Sequence, residues 1–237
     1  MAGRISNNIV RDGLVLYLDA ANEKSYIVSG TTWGDLSKSG ANGALVNGPT
    51  YNSSNGGSIV FDGVNDYVSI PYTIQNSFTN KISINIWMNA QWFDTAVNDG
   101  VTLINKNTET LTYPYVMWAA FIFPNGRYCM TVGDGINRTL VISSEVLSLN
   151  TWYNLTFTYD GTTLRLYKNG VQDASFNSAT YTLGQNTVNP AIGNNPSLAP
   201  YNDWFKGNIA MTQLYNKGLS ATEVLQNYNA TKSRFGL

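Results

Sequence analysis

The chain has 237 residues, of which 43% are hydrophobic and 13% aromatic but only 12% charged, about half the usual charged share. Such a length and apolar content fit one large β domain with a sizeable core better than two small domains. With 14 basic against 15 acidic residues the formal net charge is −1, and no basic block exists to neutralise phosphates, which excludes ordinary nucleic-acid binding.

Taken in chain order, Met1-Ala2-Gly3-Arg4-Ile5-Ser6-Asn7-Asn8 carries no hydrophobic stretch of signal-peptide kind. Synthesis in a cytoplasm, without a signal peptide, is therefore expected. Residues 1–12 read as an N-terminal arm and 13–237 as a single domain. Ile5, Ile9 and Val10 are apolar positions of the arm with no obvious core to join. They are candidates for docking on a partner, or for the first strand of the domain itself. Residues 14–18 read as a strand.

Residues 58–61 and 67–70 form a candidate strand pair around the turn Asp62-Gly63-Val64-Asn65-Asp66. The oxygen-rich side chains of Asp62, Asn65 and Asp66 are candidate calcium ligands. The competing reading is a turn whose Asn and Asp side chains bond their own backbone. Ile82, Ile84, Ile86 and Met88 alternate with Ser83, Asn85, Trp87 and Asn89, the period of a strand with one oily face. Residues 89–112 and 194–203, rich in Asn, Asp, Thr and Pro, read as long loops. The longest apolar run, residues 116–123, is too short to span a bilayer, so no membrane is expected as a partner. Cys129 is the only cysteine. It permits no internal disulfide and reads as a core residue of a strand.

Tyr153, Leu155, Phe157 and Tyr159 repeat the two-residue alternation, and Leu164 and Leu166 continue it after Asp160-Gly161. Asn169-Gly170 follows as a second tight-turn dipeptide. One helix signal stands out. Ser220-Ala221-Thr222-Glu223 is a capping box, and Val224, Leu225 and Tyr228 then share a face. Many short strands separated by turns argue for an all-β sandwich of antiparallel sheets with one short C-terminal helix. The sequons at Asn52, Asn137, Asn154 and Asn229 are what chance gives in an Asn- and Thr-rich chain.

Catalysis has few carriers. There is no histidine, which removes the usual general base and the Ser-His-Asp arrangement. Glycoside hydrolysis needs two carboxyls roughly 5–10 Å apart. Glu23, Glu109, Glu145 and Glu223 are scattered, and none has a second carboxylate two residues away in a clear strand. A non-catalytic chain is expected. Aromatic side chains beside amides are the usual furniture of sugar binding. Trp92, Tyr113, Tyr115 and Trp118 fall in or beside the first long loop, and Tyr201, Trp204 and Phe205 at the end of the second. Of these, Trp92, Tyr115, Trp118, Tyr201 and Trp204 are the candidate ligand platforms, weighed against simple packing. The same residues suit a protein interface equally well. Trp33, Trp87 and Trp152 read as structural.

Four segments carry a resemblance. They are residues 57–68, with Ile59-Val60-Phe61-Asp62-Gly63; 82–88, with Ile84-Asn85-Ile86-Trp87; 152–170, with Tyr159-Asp160-Gly161 and Lys168-Asn169-Gly170; and 205–224, with Gly207-Asn208-Ile209. In this order they resemble the laminin-G-like, or concanavalin A-like lectin/glucanase, jelly roll. The opening segment, Asp12-Gly13-Leu14-Val15-Leu16-Tyr17-Leu18-Asp19 through Thr32-Trp33-Gly34-Asp35, resembles versions of this domain in tailed bacteriophages. That resemblance implies a virion structural protein, a surface-exposed capsid or tail accessory. Its partners would be other virion proteins, further copies of itself and a surface glycan. The alternative it implies is a lectin module for a cell-surface glycan. The family often holds a structural calcium through acids after the isoleucine of its last strand. Ala210 and Met211 stand at those positions here, so no cofactor is expected from that site.

Overall fold

The computed structural model describes residues 8–93, 100–107, 116–183, 186–194 and 203–237. In chain order the strands are β1 (Leu14–Asp19), β2 (Thr32–Trp33), β3 (Gly43–Val46), β4 (Thr50–Asn52), β5 (Ser58–Asp62), β6 (Tyr67–Ser69), β7 (Ile82–Ala90) and β8 (Val101–Asn107). They continue with β9 (Val116–Ile122), β10 (Tyr128–Gly133), β11 (Arg138–Ile142), β12 (Trp152–Tyr159), β13 (Thr163–Lys168), β14 (Val171–Asn177), β15 (Ala191–Ile192) and β16 (Lys206–Tyr215). Helix α1 (Ala221–Thr231) follows.

The strands form two antiparallel sheets. The first runs β14-β13-β12-β7-β16-β5-β4, with β1 added alongside β16. The second runs β11-β10-β9-β8-β15-β6-β3-β2. The alternation in the sequence sets which side chains meet between them, because successive residues of a strand point to opposite faces. Leu155 lies opposite Ile86, Phe157 opposite Ile84 and Tyr159 opposite Ile82, and all six are fully buried. Ile104, Trp118, Ala120, Ile122, Met130 and Val132 reach the same core from the second sheet. Tyr128 meets Phe157 edge-on across the gap, ring centroids 6.1 Å apart.

The outward face of the first sheet is buried as well, and several of its polar residues bond one another. Asn85 donates through Nδ2 to Gln213 Oε1 at 2.7 Å. Its Oδ1 accepts from Asn154 Nδ2 at 2.9 Å and Thr156 Oγ1 at 2.8 Å. Helix α1 lies over this face. The capping box is present as read: Ser220 Oγ accepts from the Glu223 amide and Glu223 reaches back to the Ser220 amide. The helix buries Val224 and Asn227, while Leu225 is exposed, so the apolar face read from Val224, Leu225 and Tyr228 is rotated. Asn227 is inside because it completes the network, donating to the Tyr215 hydroxyl at 3.0 Å.

Ile9 and Val10 correct the arm expectation. Both are buried within the domain. The Val10 amide donates to Asn227 Oδ1 at 2.8 Å, and its carbonyl accepts from the Tyr215 hydroxyl at 3.1 Å. The Val10 side chain packs in a cluster with Tyr215 and Val224 of the protein's own helix side, and neither Ile9 nor Val10 is held out for a partner. Ile5 lies outside the described residues.

The far end of the helix is closed by aromatic stacking. Phe235 lies on Trp87 with centroids 3.9 Å apart and planes 14° apart, and Tyr228 stacks on Trp87 at 5.9 Å. Ala210 and Met211 belong to this apolar cluster. The positions at which the resemblance implies calcium-binding acids are thus filled by apolar side chains, and these residues do not fit a cation.

Two further expectations change. Strands β5 and β6 are not a hairpin: β5 pairs with β16 and β4 in the first sheet, β6 with β3 and β15 in the second. The 62–66 turn crosses between sheets because Phe61 and Val68 both feed the common core from opposite sides. The 89–112 segment is not all loop. Val101–Asn107 is β8, pairing with β9 and β15. The β13–β14 turn is as read, with Asn169 at φ 51° and Gly170 at φ 80°.

The β12–β13 turn is held by Asp160. Burial raises its carboxyl pKa, but the Arg165 guanidinium at 2.6 Å and the amides of Thr162 and Thr163 outweigh this and hold it down to about 2. A depressed carboxyl stabilises the fold above the unfolded value of about 3.9, and that contribution is lost as pH falls through the folded value. Asp160→Asn is therefore expected to flatten the loss of stability between about pH 4 and pH 2. Urea unfolding across that range checks it, and an unchanged slope counts against the turn's role.

No helix among the described residues is long and apolar enough to cross a membrane.

Candidate functional site

With α1 and residues 9–10 covering the first sheet, the other candidate surface is the outward face of the second. Strand parity identifies it. Val68, Ile104, Trp118 and Met130 point into the core, so Tyr67, Phe121 and Cys129 point away from it. Phe121 pairs with Thr102 on β8 and with Cys129 on β10, and Cys129 pairs with Ile142 on β11. Between the ends of this face Asn105, Ala119, Cys129 and Thr131 are buried. Among the described residues, partly accessible aromatic side chains gather at two places on this face.

The first lies beside β6. The Phe205 amide donates to the Gly193 carbonyl at 2.9 Å. Phe205 points inward, edge-on to Phe61 at 6.0 Å. A Cβ on Gly193, at φ +84°, would stand 2.6 Å from the Phe61 ring. Trp204, next to Phe205 in the chain, turns the other way and meets Tyr67. Trp204 is half-buried, its ring 6.4 Å from Tyr67 and tilted by 45°. Asn194 is 1% exposed, and neither its Nδ2 nor its Oδ1 has a hydrogen-bond partner among the described residues. Asn105 Nδ2, on β8 and 3% exposed, has none among them either. Each unmet buried polar group costs roughly 1–3 kcal/mol.

The second place is an open depression of about 390 Å³ lined by Phe123, Pro124, Asn125, Arg127 and Ile142. It sits on the β9–β10 hairpin. The Phe123 amide donates to the Arg127 carbonyl and the Gly126 amide to the Phe123 carbonyl, both at 2.8 Å. Gly126 holds φ +80°, and a side chain there would meet the Leu147 carbonyl at 3.0 Å. Phe121 and Phe123 pack edge to face at 5.1 Å. Ile142 is 40% exposed. Arg127 has no ion pair among the described residues.

The residues singled out from the sequence fare differently. Trp118 is not a surface platform. It is fully buried on β9, opposite Val132, with Phe78 edge-on at 6.1 Å. The reason is parity: within Val116–Ile122 it shares the inward face with Ala120 and Ile122. Trp92 stands just past β7 and is 38% exposed. Trp204 is placed against Tyr67, as above. Tyr113, Tyr115 and Tyr201 lie outside the described residues. Trp33 and Trp87 are fully buried, and Trp152 Nε1 donates to Asn55 Oδ1 at 3.1 Å.

Asp62, Asn65 and Asp66 close their own turn. Asp62 Oδ1 accepts from the amides of Val64 and Asn65 at 2.8 and 3.3 Å, and Asp66 Oδ2 accepts from the Asp62 amide at 3.0 Å. Burial raises the Asp66 carboxyl pKa, partly offset by the bond from the Asp62 amide. Two of the glutamates named above are engaged: Glu223 bonds Lys217 at 2.8 Å, and Glu145 pairs with Lys168. Among the described residues no carboxylate lines the depression. Phe121, Phe123, Asn125, Arg127 and Asn194 were not picked out by sequence reasoning. Their one signal is the Pro124-Asn125-Gly126 turn directly after an apolar run.

A family model described as the concanavalin A-like lectin/glucanases superfamily matches residues 62–225. Among solved structures the binding domain of Paraclostridial Mosquitocidal Protein 1 superposes with TM-score 0.71 at 17% identity, covering 93% of this chain and 52% of that one. This chain therefore spans about half the length of that structure. Domain 4 of AbnA, a GH43 extracellular arabinanase from Geobacillus stearothermophilus solved with arabinotriose, gives 0.68 at 15% identity, covering 92% of this chain and 100% of that one. The receptor-binding domain of botulinum neurotoxin type G gives 0.63 at 18%, covering 92% and 51%. No curated protein matches the sequence. Identities this low speak for the fold alone, whereas the family match covers well over half of the chain. This chain belongs to the concanavalin A-like lectin/glucanase superfamily, and its two antiparallel sheets are that family's jelly-roll sandwich.

Proposed function

We propose that the chain is a non-catalytic carbohydrate-binding module that recognises a cell-surface glycan through the outward face of its second sheet. The observation that carries this reading is the Trp204–Tyr67 corner, an aromatic pair standing half-buried on that face. An aromatic ring offers a flat apolar surface to the C–H face of a sugar.

The low charge of the chain suits a neutral, hydroxyl-rich partner better than a polyelectrolyte. Structures with this fold include an arabinanase domain solved with arabinotriose and a botulinum neurotoxin type C whose cell entry depends on two ganglioside molecules. These support the class of ligand and leave its identity to experiment. The resemblance of residues 12–37 to phage domains concerns where such a module is carried, and mass spectrometry of purified particles tests that separately.

A glycan array is expected to return at least one bound glycan. Trp204→Ala, with an unchanged melting temperature, is expected to weaken that binding at least ten-fold, as loss of a central aromatic anchor does. No reducing sugar is expected to be released. An array at background, or turnover abolished by a single carboxylate substitution, overturns the reading.

A further inference from the structure

We infer that the depression on the β9–β10 hairpin is a subsite for a sugar bearing a carboxylate, such as a sialic or hexuronic acid. The inference rests on the glycan-binding reading and adds a charge preference to it. Phe123, Pro124 and Ile142 supply an apolar floor, and Phe121 braces Phe123 from the side. Floors of this kind accept the C–H face of a pyranose ring. Arg127 stands at the same depression with no ion pair among the described residues.

Two acids that bond the segments flanking the hairpin are committed elsewhere. Asp173 accepts from the Tyr128 hydroxyl at 2.6 Å and the Ser144 amide at 3.1 Å, and Glu145 is paired with Lys168. A guanidinium presents a planar fork that fits a carboxylate with two parallel hydrogen bonds. Asn125 uses its Oδ1 on the Arg127 amide at 3.1 Å. That leaves its Nδ2 to donate to a ring hydroxyl. Apolar floor, forked cation and amide donor together fit a carboxylated sugar better than a neutral one, whose hydroxyls leave the guanidinium without a counter-charge.

The test uses the whole chain and two matched pairs of probes: 3′-sialyllactose against lactose, and digalacturonate against its carboxyl-reduced counterpart. In calorimetric titration at least one acidic member is expected to bind ten-fold or more tightly than its neutral partner. The preference is expected to shrink in 0.5 M salt, to vanish in Arg127→Ala and to survive in part in Arg127→Lys. Phe123→Ala is expected to weaken both members of the pair. Equal binding of acidic and neutral sugars, or an acidic preference untouched by Arg127→Ala, overturns this inference while leaving the glycan reading in place. Failure of every glycan on the array overturns both. Self-association that Phe123→Ala abolishes, without sugar binding, assigns the depression to a second copy of the chain and also overturns it.

Discussion

Trp118→Ala is expected to lower the unfolding free energy by about 3–5 kcal/mol, the range for truncating a large buried aromatic side chain. The indole is fully buried between the sheets, flanked in register by Lys106 and Val132 and capped edge-on by Phe78. Removing it leaves a cavity that strands fixed by hydrogen bonds on both sides cannot close. Urea unfolding monitored by circular dichroism measures the change. Trp118→Phe, which keeps a ring in the space, is expected to cost clearly less. A change under 1 kcal/mol for Trp118→Ala means that the residue is not in the core. The same substitution also separates packing from recognition: a folded Trp118→Ala protein at low temperature should bind glycan as the parent does.

Phe235→Ala is expected to cost about 3 kcal/mol, at the lower end of the same range because the ring is nearer the surface. Its ring covers Trp87 and touches Trp152 at a centroid distance of 4.8 Å. The preceding Arg234 pins the turn to the first sheet, with Nη1 on Asp19 Oδ1 at 2.7 Å and further bonds to the carbonyls of Asn55 and Gly57. Taking the ring away exposes the Trp87 indole, which otherwise donates to Thr231 Oγ1 at 2.8 Å. Two readouts follow. Stability falls, and tryptophan emission shifts to the red in the folded state as Trp87 meets water. If emission and stability both stay at the parent values, the C-terminal turn does not seal the outward face of the first sheet.

The two sheets were legible in the sequence where burial is one-sided or strongly patterned. Ile82 to Met88 and Tyr153 to Tyr159 alternate cleanly because their outward partners, Asn85, Asn154 and Thr156, form a polar layer beneath α1. Strand β8 was not legible, because its Asn- and Lys-bearing sequence, Ile104-Asn105-Lys106-Asn107, resembles loop composition; pairing with β9 and β15 overrides it. Trp118 was misplaced for a related reason. Both faces of Val116–Ile122 are apolar, so no alternation tells which way the indole points.

At the candidate site only Trp204 was found in advance. Its partner Tyr67 arrives from a strand more than a hundred residues earlier. Arg127 is an ordinary surface arginine until the fold sets it beside Phe123 and Ile142. Juxtapositions of this kind depend on register between strands, which local sequence does not encode.

The central claim is that sugar meets the outward face of the second sheet. Backbone and indole NMR shifts, followed while the strongest array glycan is titrated into the full chain, test it most directly. The account predicts perturbations at the Trp204 indole, at Tyr67 and Asn194, and along Phe121 to Arg127, with the α1 side around Leu225 and the β14 edge at Val171 unmoved. Perturbations confined to α1 and β14, with Trp204 unchanged at saturation, contradict it.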